Sequence, residues 1–273
     1  MDRTLQYMAY ADDVVLIARN KRALEEGFNQ LEIGSQNTGL TINANKTKYM
    51  FNSRIDGQEN ERQLVMGNSI FERVDEFKYL GAMITHRNEV QVDIKAKLSA
   101  GNRCYYAMKH FLNSRLITRK VKIQVYITVI RPVVLYGAET WVPTQKDEAL
   151  LNVWERKILR KIYGPIFSNG EWRIRTNQEL RELFGNPDIV SEIKVRRLSW
   201  LGHLERMSDS RSAKKVHRMN PGGRRLKGRP RMRWIDDIEN DLKEMGIRGW
   251  RRKVQDRDEW RGILRKAKTL NGL

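Results

Sequence analysis

Cysteine occurs once in the 273 residues, at Cys104, which excludes an internal disulfide and any zinc site built from several thiolates. No run approaches the roughly 20 apolar residues that a membrane-spanning helix needs. Met1 leads directly into Asp2 and Arg3 rather than into an apolar leader, so the expected setting is intracellular, nucleus or cytoplasm, without secretion. Tryptophan is absent before residue 140, and the first third lacks any basic excess. Residues 1–88 hold 11 Lys/Arg against 12 Asp/Glu; taken from totals of 52 and 33, this leaves 41 against 21 in residues 89–273. The net charge of +19 therefore resides entirely in the later part. Such an asymmetry points to a polyanionic partner, nucleic acid first, because fixed cations displace condensed counterions from phosphates. The remaining composition, 40% hydrophobic and 31% charged, suits a core-forming chain long enough for two or more small domains.

Hydrophobic periodicity divides the chain. Leu5 to Tyr10 and Val14 to Ala18 are β-prone runs around Ala11-Asp12-Asp13, the pattern of a tight hairpin. A helix is expected over about 20–37, with Leu24, Phe28, Leu31 and Ser35 on one face and Gly39 ending it. Leu40 to Asn43, Lys48 to Phe51, Ser69 to Val74 and Phe77 to Thr85 read as further strands. From residue 89 the period becomes helical. Ile94, Leu98, Gly101, Tyr105, Met108 and Leu112 predict one long amphipathic helix, and Val121 to Val134 a buried helix kinked or ended near Pro132. Helices are also expected through Leu151 to Ile162 and Ile189 to Leu204. Residues 206–233 hold eleven Lys/Arg and one acid, Asp209, and read as an arm; a last helix starts near Trp234. The fold class is α+β.

Phosphoryl transfer by two divalent cations needs carboxylates held rigidly at one point, and a hairpin turn can hold them. Tyr10-Ala11-Asp12-Asp13 has that form, although Asp in a turn is also ordinary turn chemistry. Downstream follow Gly39-Leu40-Thr41-Ile42-Asn43-Ala44-Asn45-Lys46-Thr47-Lys48, then Phe77-Lys78-Tyr79-Leu80-Gly81. Next come Arg131-Pro132-Val133-Val134-Leu135-Tyr136-Gly137-Ala138-Glu139-Thr140-Trp141, then Arg197-Leu198-Ser199-Trp200-Leu201-Gly202-His203. The last is Gly228-Arg229-Pro230-Arg231-Met232-Arg233-Trp234-Ile235-Asp236-Asp237. This ordered succession resembles the reverse transcriptases of non-LTR (LINE-type) retrotransposons, from their catalytic turn onward.

The resemblance implies a partial palm at 1–88 and a helical thumb and connector at 89–205. A basic arm at 206–233 and a C-terminal helical segment at 234–273 follow. It implies Asp12 and Asp13 as Mg²⁺ ligands, with Tyr10 and Ala11 lining the primer end. Lys46 would sit near the leaving pyrophosphate, with Lys48 as rival, and Tyr79, Leu80 and Gly81 would hold the primer backbone. The implied partners are an RNA template, a DNA target or primer, and an upstream polypeptide supplying the rest of the palm. Only nine residues precede Tyr10, and the family's further palm aspartate is not among them. The expectation is therefore a fragment of an RNA-directed DNA polymerase that binds nucleic acid but does not polymerise alone. The alternative is a domesticated basic nucleic-acid-binding protein in which the Asp-Asp turn is only structural.

Other groups carry two readings each. Arg224, Arg225, Lys227, Arg229, Arg231 and Arg233 form a nonspecific phosphate-binding arm or, around Gly228-Arg229-Pro230, an AT-hook-like minor-groove segment. Asp236, Asp237, Glu239 and Asp241 read as helix-start acids rather than a nuclease site, because Ile235, Ile238, Leu242 and Met245 share one helical face. The tryptophans are core residues or base-stacking platforms, Trp234 beside the arm above all. His86, His110, His203 and His217 lack metal-ligand spacing.

Overall fold

Two-residue turns organise the first ninety residues, and helix packing organises the rest. The computed structural model describes residues 6–52, 62–219 and 232–269. It separates into two units, Met1–Glu89 and Val90–Leu273.

In the first unit, β1 (Gln6–Tyr10) and β2 (Asp13–Ile17) pair antiparallel. Helix α1 (Lys21–Asn37) follows, its first turn capped by the Asn20 side chain accepting from Ala23 N at 2.8 Å. A three-stranded sheet sets β3 (Lys48–Tyr49) parallel to β5 (Ser69–Arg73), which pairs antiparallel with β4 (Gln63–Met66). A third sheet is the hairpin of β6 (Glu76–Tyr79) and β7 (Ala82–Thr85). Phe28 of α1 meets Phe71 of β5 edge-on at 5.2 Å, and Leu64 and Met66 complete a small core, with Leu16 and Leu24 packed against it. Two expectations change here. Leu40 to Asn43 pairs with no strand among the described residues, and Phe77 to Thr85 is two strands instead of one, because Leu80 and Gly81 turn the chain at φ 45° and 83°.

The second unit is helical, with α2 (Val90–Ala107), α3 (Lys109–Asn113), α4 (Arg119–Val125) and α5 (Arg131–Leu135). The face read from Ile94 to Leu112 is the packed one, but Met108 (φ −89°, ψ 1°) divides it between α2 and α3. Between α4 and α5, Tyr126–Ile130 is a π-helical stretch in which Arg131 N donates to Tyr126 O. The wider register falls just ahead of Pro132, whose ring and missing N–H would disrupt an ordinary turn. Burial of Val121 to Val134 is one-sided, since Val121 and Val129 are 46% and 43% exposed; Tyr126, Ile130 and Val134 form the fully buried stripe, with Ile123 and Ile127 packed partly against the same core.

Helix α6 (Gln145–Tyr163) starts with a reciprocal Thr144–Asp147 capping box and ends at Gly164 (φ 72°). An unforeseen hairpin, β8 (Ile166–Ser168) and β9 (Glu171–Arg173), turns at Asn169-Gly170, both at positive φ. Helices α7 (Asn177–Phe184) and α8 (Ile189–Arg206) complete the main core. The stretch read as an arm is helical in part: α9 (Ser212–Arg218) folds there because Glu205 gathers Lys214, His217 and Arg218 around one carboxylate. Last come α10 (Trp234–Glu244), α11 (Trp250–Lys253) and α12 (Arg257–Thr269), packed with the end of α8 around Trp260, Ile238 and Leu242.

The Arg131–Trp141 segment owes its residue types to this packing. Arg131 is buried between Glu155 (3.5 Å) and the carbonyl of Pro187, to which its Nη2 donates at 2.8 Å. Glu155 also accepts from Tyr126 Oη at 2.6 Å and from Ile189 N at 2.8 Å, anchoring the start of α8. Burial nevertheless raises the Glu155 carboxyl above the ordinary range. Lys97 lies over the Tyr136 ring, Gly137 (φ 78°) turns the chain, and Trp141 Nε1 donates to Asp93 at 2.8 Å.

Candidate catalytic turn and basic surfaces

The Asp-Asp hairpin has the tightest loop available. Tyr10 pairs with Asp13, so Ala11 and Asp12 alone form the turn, with Ala11 held at φ 52°. Strand alternation places Tyr7, Ala9, Val14 and Leu16 on one face and Met8, Tyr10, Asp13, Val15 and Ile17 on the other. Leu16 rests against the small core, whereas Tyr10 is 67% exposed and Asp12 and Asp13 are exposed at the tip. The arrangement offers two carboxylates to an incoming ligand from a rigid turn. Among the described residues no group of three His, Cys, Asp or Glu side chains is poised to hold a metal. The carboxylates present therefore do not by themselves fit a two-ion site, which needs ligands around both ions.

Lys46 and Lys48 differ in their surroundings. Lys46 is exposed, its N–H donating to Asn43 O at 3.2 Å and Oδ1 at 3.1 Å, and among the described residues its ammonium meets no acid. Lys48 Nζ is bound to Glu72 at 2.6 Å across the parallel β3–β5 pair. Tyr79 is half-buried beside Phe77, ring centroids 6.4 Å apart, while Leu80 and Gly81 form the turn itself. Leu80 is 39% exposed in that turn.

In the second unit, Arg224, Arg225, Lys227, Arg229 and Arg231 lie outside the described residues. Arg233 is exposed at the start of α10. The acidic group nearby is structural: Asp237 meets the fully buried Arg197 at 2.6 Å, and Asp241 meets Lys194 at 3.1 Å and Arg197 at 3.7 Å. Burial raises the Asp241 carboxyl even against these cations. Arg197 and Asp237 belong to two of the recognised motifs, so those motifs lock onto each other. Of the tryptophans, Trp141, Trp154, Trp250 and Trp260 are buried, Trp200 and Trp234 are half-buried, and Trp172 is 70% exposed. Trp234 Nε1 is taken up by Glu139 O at 2.8 Å.

One feature was not grouped from sequence. Trp200 and His203 of α8 and Arg257 and Arg261 of α12 line a common open groove of about 800 Å³. Their spacing within helices reads as amphipathic pattern, and only the α8–α12 pairing joins them.

Residues 2–84 match the reverse transcriptase (RNA-dependent DNA polymerase) family. A transposon-derived protein of Caenorhabditis elegans, described as uncharacterized, is 24% identical over 273 residues, covering 98% of this chain and 98% of its own. No solved structure matches. The family match supports a reverse-transcriptase relationship for residues 2–84, and divalent metal use and nucleic-acid substrates are general properties of that family. No helix among the described residues is long and apolar enough to cross a membrane.

Proposed function

We propose that the chain is part of the RNA-directed DNA polymerase of a non-LTR, LINE-type retrotransposon, and that by itself it binds nucleic acid without polymerising. The observation that carries this is the Asp12-Asp13 hairpin, a rigid two-residue turn exposed at its tip and lying within the matched residues 2–84. The same match disfavours the reading in which that turn is merely structural.

In this reading Asp12 would be a direct ligand of Mg²⁺, with Asp13 in support, once further carboxylates complete the site. The magnesium would stabilise charge on the attacking and leaving oxygens. The remaining carboxylate comes from outside the described residues, from a further polypeptide segment of the palm. Tyr10 and Ala11 border the primer end, and the tight turn of Leu80 and Gly81, beside Tyr79, supports the primer backbone. Lys46 is preferred over Lys48 for the leaving pyrophosphate, because Glu72 already neutralises Lys48. The cations from Arg224 to Arg233 bind phosphate without sequence preference. RNA template and DNA primer or target are the partners.

Primer extension on an RNA template with Mg²⁺ or Mn²⁺ tests the reading. The 273-residue chain alone is expected to extend nothing; template-dependent extension that vanishes in Asp12→Ala would refute the claim of inactivity. Binding is tested separately. If about six arm cations contact duplex phosphates, log affinity falls against log salt with a slope near −5. Replacing Arg224, Arg225, Lys227, Arg229, Arg231 and Arg233 with Ala should flatten that slope for every sequence. A loss confined to A·T tracts in Arg229→Ala would instead identify a minor-groove hook.

A further inference from the structure

The groove between α8 and α12 combines features that a solvated basic helix lacks. Its floor is apolar: Trp260 is 1% exposed, its Nε1 donating to Leu198 O at 3.1 Å, and Leu264 lies beside it. Gly202 makes that floor possible, because a Cβ there would stand 2.4 Å from Trp260 Nε1. On one wall the rings of Trp200 and His203 are paired at 5.4 Å, Trp200 half-buried and His203 exposed.

Cations gather with little to neutralise them. Arg206 donates to Val254 O at 2.7 Å and is held in place, but among the described residues neither Arg206 nor Arg257 has an acidic partner. Arg261 pairs only with the exposed Asp258, at 2.7 Å, among the described residues, and Glu139 is the one acidic residue in the lining. Burial lowers the Arg206 guanidinium from its ordinary value, and the positive neighbours Arg257 and Arg261 lower it further. Like charges held together beside an apolar floor and an aromatic edge lack one component, an anion that also carries a flat apolar surface. A nucleotide strand with an unstacked base has both, whereas in a duplex the base faces are hidden.

We propose that this groove is a binding site for an unpaired nucleic-acid strand. One base stacks on the Trp200–His203 edge, and the adjoining phosphates meet Arg206, Arg257 and Arg261. The choice of polymer rests on the nucleic-acid reading above; the site itself is separate from both the Asp-Asp turn and the Arg224–Arg233 cluster.

The test uses the full chain with fluorescein-labelled oligo(dT), oligo(rU) and a mixed-sequence duplex. Trp200→Leu keeps an apolar side chain against the floor but removes the stacking face, and should weaken single-strand binding about tenfold. Arg257→Ala with Arg261→Ala, both exposed positions, should flatten the single-strand salt slope by about 1.4 if each contacts a phosphate. Duplex affinity should stay within about twofold in both variants, because stacking contributes only where bases are open. Unchanged thermal melts show that the variants fold. Independently of any variant, 5-bromouracil in the oligonucleotide should photocrosslink to the peptide carrying Trp200 and His203. Loss confined to one of the two single strands supports the site and identifies the sugar it takes. Wild-type affinity and slope in folded variants, without that crosslink, overturn the site while leaving general nucleic-acid binding intact. Equal losses on single strand and duplex overturn its preference for unpaired strands. A wild-type chain that binds none of the three probes overturns both this inference and the broader reading.

Discussion

The two units handle charge in opposite ways. Among the described residues of 1–89 the buried polar set is Thr85 alone, and the core is little more than Phe28, Leu64, Met66 and Phe71. The unit of residues 90–273 buries Arg131, Glu155, Lys194, Arg197, Lys214 and Asp241 within or beside far larger apolar clusters. A strongly basic composition therefore overstates the surface available to phosphate. Arg197 and Lys214 are internal structural cations, and Arg131 braces the entry to α8. The unit that carries the candidate catalytic turn, by contrast, keeps its charges outside and leaves Tyr7, Met8 and Ile17 of the hairpin at 56%, 44% and 44% exposure. Loss of function by an arginine substitution in the second unit should be tested for unfolding before it is assigned to nucleic-acid contact.

The largest effect expected from this contrast is in Arg197→Met. Removing the cation strands Asp237 and Asp241, and breaking a buried pair from one side costs about 3–5 kcal/mol. Peptide-resolved hydrogen exchange should show that loss throughout α8 and α10 and none in residues 6–52. Exchange that rises equally in both units would break the comparison.

Smaller, and again limited to the second unit, is Gly202→Ala. The added methyl collides with the Trp260 ring, and overpacking of this kind costs about 1–3 kcal/mol. A urea midpoint unchanged for α12 would show that the ring moves aside freely.

The first unit should respond in the other direction. Leu80 occupies φ 45°, which a side chain disfavours and glycine does not, so Leu80→Gly should stabilise the β6–β7 hairpin by up to about 1 kcal/mol. Slower amide exchange in that hairpin, with α8 unchanged, is the expected result; faster exchange would mean that the Leu80 side chain contributes more than its backbone strain costs.

The least effect is a pH slope. Burial raises the folded Asp241 carboxyl, so the folded state keeps this proton to higher pH than the unfolded state does. That contribution is fully present below the unfolded carboxylate pKa and is lost as pH rises through the folded value. Asp241→Asn should consequently lose stability less steeply than wild type as pH rises through and above the ordinary carboxylate range. Parallel slopes in the two proteins would remove Asp241 from the linkage.

Much of this architecture was legible where a period or a turn signal carried it. The helix at Lys21–Asn37 and the packed face from Ile94 to Leu112 follow from apolar spacing, the first with Gly39 just past its end. The Asp-Asp turn was readable because two β-prone runs flank it. The β8–β9 hairpin was missed although Asn169-Gly170 is a strong turn signal, because its strands are three residues each. The β6–β7 turn was hidden by Leu80, a residue type that seldom takes positive φ. Buried charges could not be read at all: Lys194, Arg197 and Asp241 look like a solvated helix face until α8 meets α10. The distinction between Lys46 and Lys48 likewise needs the parallel β3–β5 pair, a contact 24 residues apart in sequence.

Gly202 and Trp260 form one decision written at two places in the chain. As long as the indole occupies that notch, any side chain larger than hydrogen is disfavoured at position 202. The two positions are therefore energetically coupled. A cycle of Gly202→Ala, Trp260→Phe and the double variant should show it, with the double losing less stability than the two single losses combined.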